Sequence, residues 1–469
     1  MLRIGHFLRD RTGWQAYLKP FLEKPLPGDL NWTSTLGSIC ALLFVMQALT
    51  GISLAMYYNP SPGHAYQSID YIMKHVFMGR ILRGIHHWGA AAMVTFVVFH
   101  MIAVFYYGAY KPPRELTWIM GVGLLVLTLA FGFTGYLLPW DQKAYWATVV
   151  GTNIPHDIPI IGKYITGLLR GGEEVSGLTL TRFYSVHMLI LPALVLLLIG
   201  VHIYLVRIHD IAGHWDPENP DKQKFSRFFP ELMFRSAIAF SIVFFGVILL
   251  SIFVDTPRED IAMTLDPTYL PRPEWYFMWL FHLLTYFSGK VELIAGLAIP
   301  VGGVLLLLLL PFLGRTELRG PADRPIATAL GVMVLMGIVY LNLMGIAGSK
   351  PYGEVIVIPD RQLTPVEMKG LNVWVERDCA YCHRIMGKGA PATREGPDLS
   401  NVIAKGRTKE WLVNMIKDPK SISRWTTMPK YNLDEEALKA LADFILALDF
   451  KEHRMKIISR ADVKAGNTK

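Results

Sequence analysis

Two apolar stretches decide the fold: RGIHHWGAAAMVTFVVFHMIAVFYYG (83–108) and FYSVHMLILPALVLLLIGVHIYLV (183–206). The first carries His86 and His100, the second His187 and His202. Steps of 14 and 15 residues are close to four helical turns, so each pair falls on roughly one face of its helix. Along the axis the two levels lie about 21 Å apart. Polar side chains in lipid are costly and usually functional. Two such helices face to face offer two His/His pairs, the donor set of two six-coordinate haems stacked across a bilayer. His87 is turned about 100° from His86, has no partner fourteen residues on, and is expected to pack or cap.

Two further apolar stretches repeat the same step with glycine, Gly37 and Gly51 on one, Gly121 and Gly135 on the other. A glycine lets a flat macrocycle come close to the backbone. Small residues also serve ordinary helix packing in membranes, but the shared register favours the haem reading.

Of 469 residues, 52% are hydrophobic and 18% charged, with a mean hydropathy of +0.33, a membrane-protein composition with a soluble part. The net charge of +8 is what basic loops beside membrane spans leave, so nucleic acid is not an expected partner. Three cysteines give no disulfide framework, because Cys379 and Cys382 form one motif and Cys40 sits alone in an apolar helix.

Seven runs are long enough to span: 33–58, 81–108, 116–138, 178–206, 232–254, 293–313 and 326–346. Pro300 is expected to kink the sixth. A run of about fourteen residues from Trp275 is too short to cross. Basic residues collect before the first span and in alternate connections, with Lys111 and Arg114, then Arg207, Lys222, Lys224, Arg227 and Arg235, then Arg315, Arg319 and Arg324. That bias puts the N-terminus inside and, after seven crossings, the C-terminus outside. An amphipathic lead-in before Thr33 suits the inner membrane surface. From about Lys350 the composition is soluble.

Cys379-Ala-Tyr-Cys382-His383 is the pattern of covalent haem attachment: two thiols take the vinyl groups and His383 takes the iron. Met428, in TTMPKY, is the expected sixth ligand. Met386 is too close to His383 to reach the far face, and Met415 falls in a helix-like run where it reads as core. Gly396-Pro397 suits a loop packed on the His383 side. Pro273-Glu274-Trp275-Tyr276 lies on the outer connection between the fifth and sixth spans. A carboxylate at the mouth of an apolar segment can accept a proton from a bound hydroxyl group.

With these residues assembled, the four-histidine framework resembles cytochrome b of the quinol-oxidising Rieske/cytochrome b (bc-type) complexes. So do the paired glycines, GYLLPW from Gly135, LTRFYSVH from Leu180, and PEWY. The likeness covers about 18–346, and the fifteen-residue step is similar to the plastid-type branch. The remainder resembles a monohaem cytochrome c. The resemblance implies an all-α fold: a seven-helix transmembrane dihaem bundle followed by a small class I-like cytochrome c domain. It divides the chain into a surface segment (1–32), a dihaem core (33–230), a three-helix part with PEWY (231–347), a linker (348–364), a cytochrome c domain (365–450) and a polar tail (451–469). It also implies that His86 and His187 hold the outer haem b and His100 and His202 the inner one, with Arg83 and Arg114 at propionates. Glu274 and Tyr276 would serve an outer quinol site with Pro273 and Trp275, and Arg207 with Asp216 an inner quinone site. Where the plastid-type proteins carry a cysteine for an additional haem, this chain has Thr35. Cys40 is five residues deeper and roughly 140° round the helix, so no such haem is expected.

The expected function is quinol oxidation in an energy-conserving complex, coupled to proton translocation. The cofactors would be two haem b, one covalent haem c and quinone. The resemblance implies a Rieske iron–sulfur protein, further subunits, a cytochrome acceptor and a homodimer in a bacterial inner membrane. The chain itself has no iron–sulfur ligand set. Two rivals are a dihaem anchor for a dehydrogenase or hydrogenase and a pure electron relay; PEWY argues against the first, and binding of a quinone-site inhibitor would separate the second.

Overall fold

The computed structural model describes residues 30–469 apart from 214–224, 260, 263–271, 288–290, 315–317, 348–354, 387, 390–395, 401, 424–425, 427, 449–453, 465 and 467–469; before residue 30 it describes 7, 10–13, 19–20 and 22–27. Asp216 and most of the amphipathic lead-in therefore lie outside the described residues. The chain divides into two compact units, Met1–Ala262 with Leu293–Ile338, and Met263–Glu292 with Val339–Lys469.

Seven helices among the described residues are long and apolar enough to cross a membrane: Trp32–Ala55, Gly79–Tyr106, Glu115–Tyr136, Gly177–His209, Phe228–Phe253, Ile294–Leu313 and Pro325–Ala347. A helix satisfies every backbone group within itself, which lipid requires. Asn31 starts the first, its side chain accepting from Thr33 N, and a Ser176/Thr179 capping box starts the fourth. Hydroxyls inside the spans bond back one turn, Thr50 to Met46 O and Thr134 to Ala130 O, both at 2.8 Å. The first span packs on the second, and the third on the fourth. The two-stranded sheet β1 (Pro25–Pro27) and β2 (Phe225–Arg227) joins the lead-in to the segment before the fifth span.

Two spans depart from regular α-helix in the same way. The fourth widens into a π-helical turn at Val186–Ile190, two residues ahead of Pro192. The sixth does so at Ile294–Ala298, two residues ahead of Pro300. Proline has no N–H to give and crowds the carbonyl four residues back, so the ladder opens there. The expected disturbance at Pro300 thus takes the form of a wider turn.

In the second unit, Trp275–Leu284 is a helix of ten residues, short of a span. Gly345 of the seventh span lies against Met278, where a Cβ would stand 2.5 Å from Cγ. The soluble part forms its own core around Trp374, Phe444, Leu371, Leu438 and Leu441. Its first helix (Pro365–Glu376) starts with a Thr364/Glu367 capping box and crosses the helix Glu435–Leu446 at Gly370, where a Cβ would collide with Ala440 O. A hairpin pairs β4 (Arg384–Ile385) with β5 (Lys388–Gly389).

Two segments expected to be linker and polar tail carry structure. β3 (Val355–Pro359) pairs antiparallel with β6 (Met455–Ser459) along all five residues of each. Ile356, Val357 and Ile358 are buried in the soluble core. The apolar run VIVI is a strand signal that its Lys, Pro and Gly flanks mask.

Candidate functional site

The glycines on the first and third spans sit opposite the four histidines. A Cβ on Gly51 would stand 3.2 Å from His86 Cε1, and one on Gly37 3.3 Å from His100 Cε1. On the third span, a Cβ on Gly135 would stand 2.6 Å from His187 Cε1 and one on Gly121 3.5 Å from His202 Cε1. The room the glycines make is taken first by the imidazoles.

The imidazole rings of His86 and His187 face each other, with centroids 6.4 Å apart and planes at 73°. Two imidazoles brought this close from different helices are a donor pair that would hold one haem iron between them. His86 Nδ1 lies 2.9 Å from Thr50 Oγ1 and His187 Nδ1 3.1 Å from Thr134 Oγ1. With Nδ1 turned to a hydroxyl, Nε2 is the nitrogen left for a metal. His87 packs edge-on against Trp88, ring centroids 4.8 Å apart.

The fifteen-residue step on the fourth span is explained by its π-helical turn. Fifteen regular residues would carry His202 about 60° past His187. The π turn takes in one residue more than an α turn, which brings the step close to the phase of the fourteen that separate His86 and His100. Sequence reasoning treated the two steps alike; Pro192 was the available signal.

Arg83 is buried, and its Nη atoms go to Met73 Sδ (3.1 Å) and the carbonyls of Thr256 (3.4 Å) and Pro257 (3.0 Å). Arg114 donates to the carbonyls of Asp210 (3.0 Å) and His209 (2.9 Å). Its Nη1 is buried with no hydrogen-bond partner, a cationic N–H suited to a carboxylate. Arg207 stacks over Phe228 at 5.9 Å, and Lys24 pairs with Asp210. Thr35 is buried and its hydroxyl donates to Trp32 O at 2.7 Å; Cys40 is half-buried. The facing imidazoles, the bare glycines and the orphaned guanidinium N–H together fit planar, propionate-bearing tetrapyrroles.

In the soluble part, Asp378 turns the chain out of the first helix with φ 55°, ψ 32° and Cys379–Tyr381 form one helical turn. Cys379 is half-buried and Cys382 exposed. His383 Nδ1 lies 3.0 Å from Pro397 O, which again leaves Nε2 for a metal. Gly396 is obligatory for that approach, because a Cβ there would collide with Cys382 O. Met428 packs against the soluble core, whereas Met386 is 49% exposed and Met415 lies in the helix Lys409–Lys417.

Glu274 caps the short helix with φ −60°, ψ 156°. Trp275 and Tyr276 meet edge to face, ring centroids 5.6 Å apart. Burial, with the Glu274 carboxylate beside it, holds the Tyr276 phenol above its ordinary range, so it stays a donor.

Together the imidazole levels and the CAYCH turn define a membrane-embedded cytochrome. Comparison with known proteins narrows the class. The family model described as "Cytochrome b/b6/petB" matches residues 21–210, "Cytochrome b(C-terminal)/b6/petD" matches 266–364 and "Cytochrome c" matches 368–449. The chain is 39% identical over 323 residues to the cytochrome bc complex cytochrome b subunit of Chlorobaculum thiosulfatiphilum, covering 68% of this chain and 74% of that protein. It is 40% identical over 213 residues to cytochrome b6 of Mastigocladus laminosus, covering 45% of this chain and 99% of that one. A solved structure titled "Hyperthermophilic respiratory Complex III" superposes with a TM-score of 0.67 at 29% identity, over 74% of this chain and 91% of that chain. The chain belongs to the cytochrome b family of bc-type complexes and carries a cytochrome c domain at its C-terminal end. It is an integral membrane protein whose two parts imply haem b and haem c.

Proposed function

We propose that this chain is the quinone-handling subunit of a quinol-oxidising complex. Quinol is oxidised at an outer site; one electron leaves to a Rieske iron–sulfur partner, and the other crosses to an inner quinone site. The observation that carries the reading is the facing pair His86 and His187, 6.4 Å apart, each with a glycine at its back. His86 with His187, and His100 with His202, would hold two haems b; Cys379, Cys382, His383 and Met428 would hold one haem c. Bound there, these groups supply one-electron carriage across the bilayer and onward to a cytochrome acceptor.

The chain's own residues do the rest. The glycines Gly37, Gly51, Gly121 and Gly135 fix ring orientation by close approach, and Thr50 and Thr134 set the tautomers. Arg114 offers Nη1 to a propionate. Arg83 supports the Thr256–Pro257 segment by its hydrogen bonds and, with five N–H donors in its guanidinium, would meet a propionate without giving them up. Glu274 accepts the proton that quinol must lose, with Tyr276 as a donor beside it and Pro273 and Trp275 shaping the mouth. Arg207 serves the inner quinone site. The distribution of basic residues supports an inner N-terminus and, after seven spans, a c domain outside. A homodimer in a bacterial inner membrane completes the proposal.

The test is a redox difference spectrum and a quinol-oxidation assay on the purified complex. Acid-acetone should extract about twice as much haem as stays covalently bound, and an outer-site inhibitor should block turnover. Extractable haem equal to or below the covalent amount would sink the assignment of ligands.

A further inference from the structure

The strand β6 and the helical turn after it, Arg460–Lys464, lie outside the stretch matched as cytochrome c, which ends at residue 449. They nevertheless reach its haem-attachment turn. Arg460 Nη2 donates to the carbonyl of Val375 at 2.9 Å, and its Nη1 pairs with the carboxylate of Asp378. Val375 is in the last turn of the first helix, and Asp378 is the residue immediately before Cys379. One guanidinium therefore ties the end of that helix to the residue that turns the chain into CAYCH.

The turn needs holding. Asp378 sits at φ 55°, in the left-handed region, which aspartate enters more readily than most side chains when its carboxylate is held locally, and less freely than glycine. Arg460 is itself fixed. β6 registers on β3 from Val355 opposite Ser459 to Pro359 opposite Met455. Ser459 and Asp462 cap each other, Ser459 N to Asp462 Oδ2 at 3.0 Å and Asp462 N to Ser459 Oγ at 3.0 Å. Val463 is buried in the soluble core. The guanidinium is thus held by a docked segment and not by a free side chain on a loose tail.

We infer that Arg460 is a positioning residue for covalent haem attachment: it holds Asp378 in the left-handed turn that presents Cys379 and Cys382 together. Attachment adds each S–H across a haem vinyl group to form a thioether, with no net oxidation, so the chain's contribution is placement of two thiols. This rests on reading CAYCH as the covalent haem site.

The test uses the full membrane-embedded chain, with extractable haem b as the internal standard for folding of the membrane part. Covalent haem per haem b and the reduction potential of the covalent haem are measured in the parent, Arg460→Ala, Asp378→Gly and the double variant. Arg460→Ala should lower the covalent ratio several-fold and shift the potential. Asp378→Gly alone should keep both at parental values, because glycine takes a positive φ freely, and in the double variant it should restore both. An Arg460→Ala chain with unchanged ratio and potential, or a defect that Asp378→Gly does not restore, would overturn the inference. A parent chain without covalent haem would instead overturn the reading of CAYCH, and the inference with it.

Discussion

Gly135 lays its bare α-carbon against the imidazole of His187, so closely that an added Cβ would stand 2.6 Å from Cε1. At Gly121 the same addition would meet His202 Cε1 at 3.5 Å, an ordinary contact. Overpacking of the first kind costs about 1–3 kcal/mol, and here it falls on a ring that must keep its orientation. Gly135→Ala should lose the haem b proposed for His86 and His187, while Gly121→Ala keeps both proposed haems. Dithionite-reduced spectra against the covalent haem as standard decide it; equal loss in both variants would count against the glycine argument.

The π-helical turn at Val186–Ile190 yields a second expectation. Deleting Leu189, an exposed member of that turn, should let the span close into regular α-helix and leave the phase between His187 and His202 nearly unchanged. Both haems b should survive. Inserting one alanine at the same point rotates everything after it by about 100° and should cost one haem. The ratio of extractable to covalent haem measures both.

Periodicity made much of this molecule readable. Seven spans, four histidines, the four glycines opposite them and the CAYCH turn all depend on local spacing, which a sequence displays directly. What stayed hidden depends on partners distant in the chain. That Arg83 also holds the carbonyls of Thr256 and Pro257 shows only once those distant residues are placed beside it. Residues 455–459 read as a polar tail because a strand this short is decided by its partner, here 355–359. The π-helical turn was legible in principle from Pro192, but only for a reader who asked how fifteen residues could keep the phase of fourteen.

Replacing Glu274 by Gln keeps size and removes the proton acceptor. Outer quinol oxidation should fall by about 10²–10⁴-fold, and relay through water or Tyr276 would push the loss to the low end. Haem content should stay normal. So should reduction of the haems b by quinol from the inner side, measured with the outer site inhibited. If that inner reaction suffered and outer oxidation did not, the role given to PEWY and the orientation of the chain would both be wrong.

In the c domain, Arg361 grips Glu367 with two hydrogen bonds of 2.8 and 2.7 Å. That guanidinium, helped by Thr364, holds the Glu367 carboxyl down to about 2. Its folded value lies below the unfolded value of about 4.3. The pair therefore stabilises the domain above that pH, and its contribution fades as pH falls from there toward 2. Acid unfolding followed by the loss of the Met–iron absorbance should begin at higher pH in Arg361→Gln than in the parent. Coincident acid transitions would dismiss the pair as a contributor.

Strand β3 also changes how the c domain is attached. The seventh span ends at Ala347 and β3 begins at Val355. Eight residue steps reach at most about 28 Å when fully drawn out. A connection running freely to residue 364 would allow more than twice that. The domain's point of attachment is confined to a small volume, and tethers this short commonly give effective concentrations in the millimolar range. On the proposed function, electron delivery to haem c from within the same complex would be first order, indifferent to how much cytochrome the cell makes. Only the proposed step that unloads the domain onto a separate acceptor would still depend on collision.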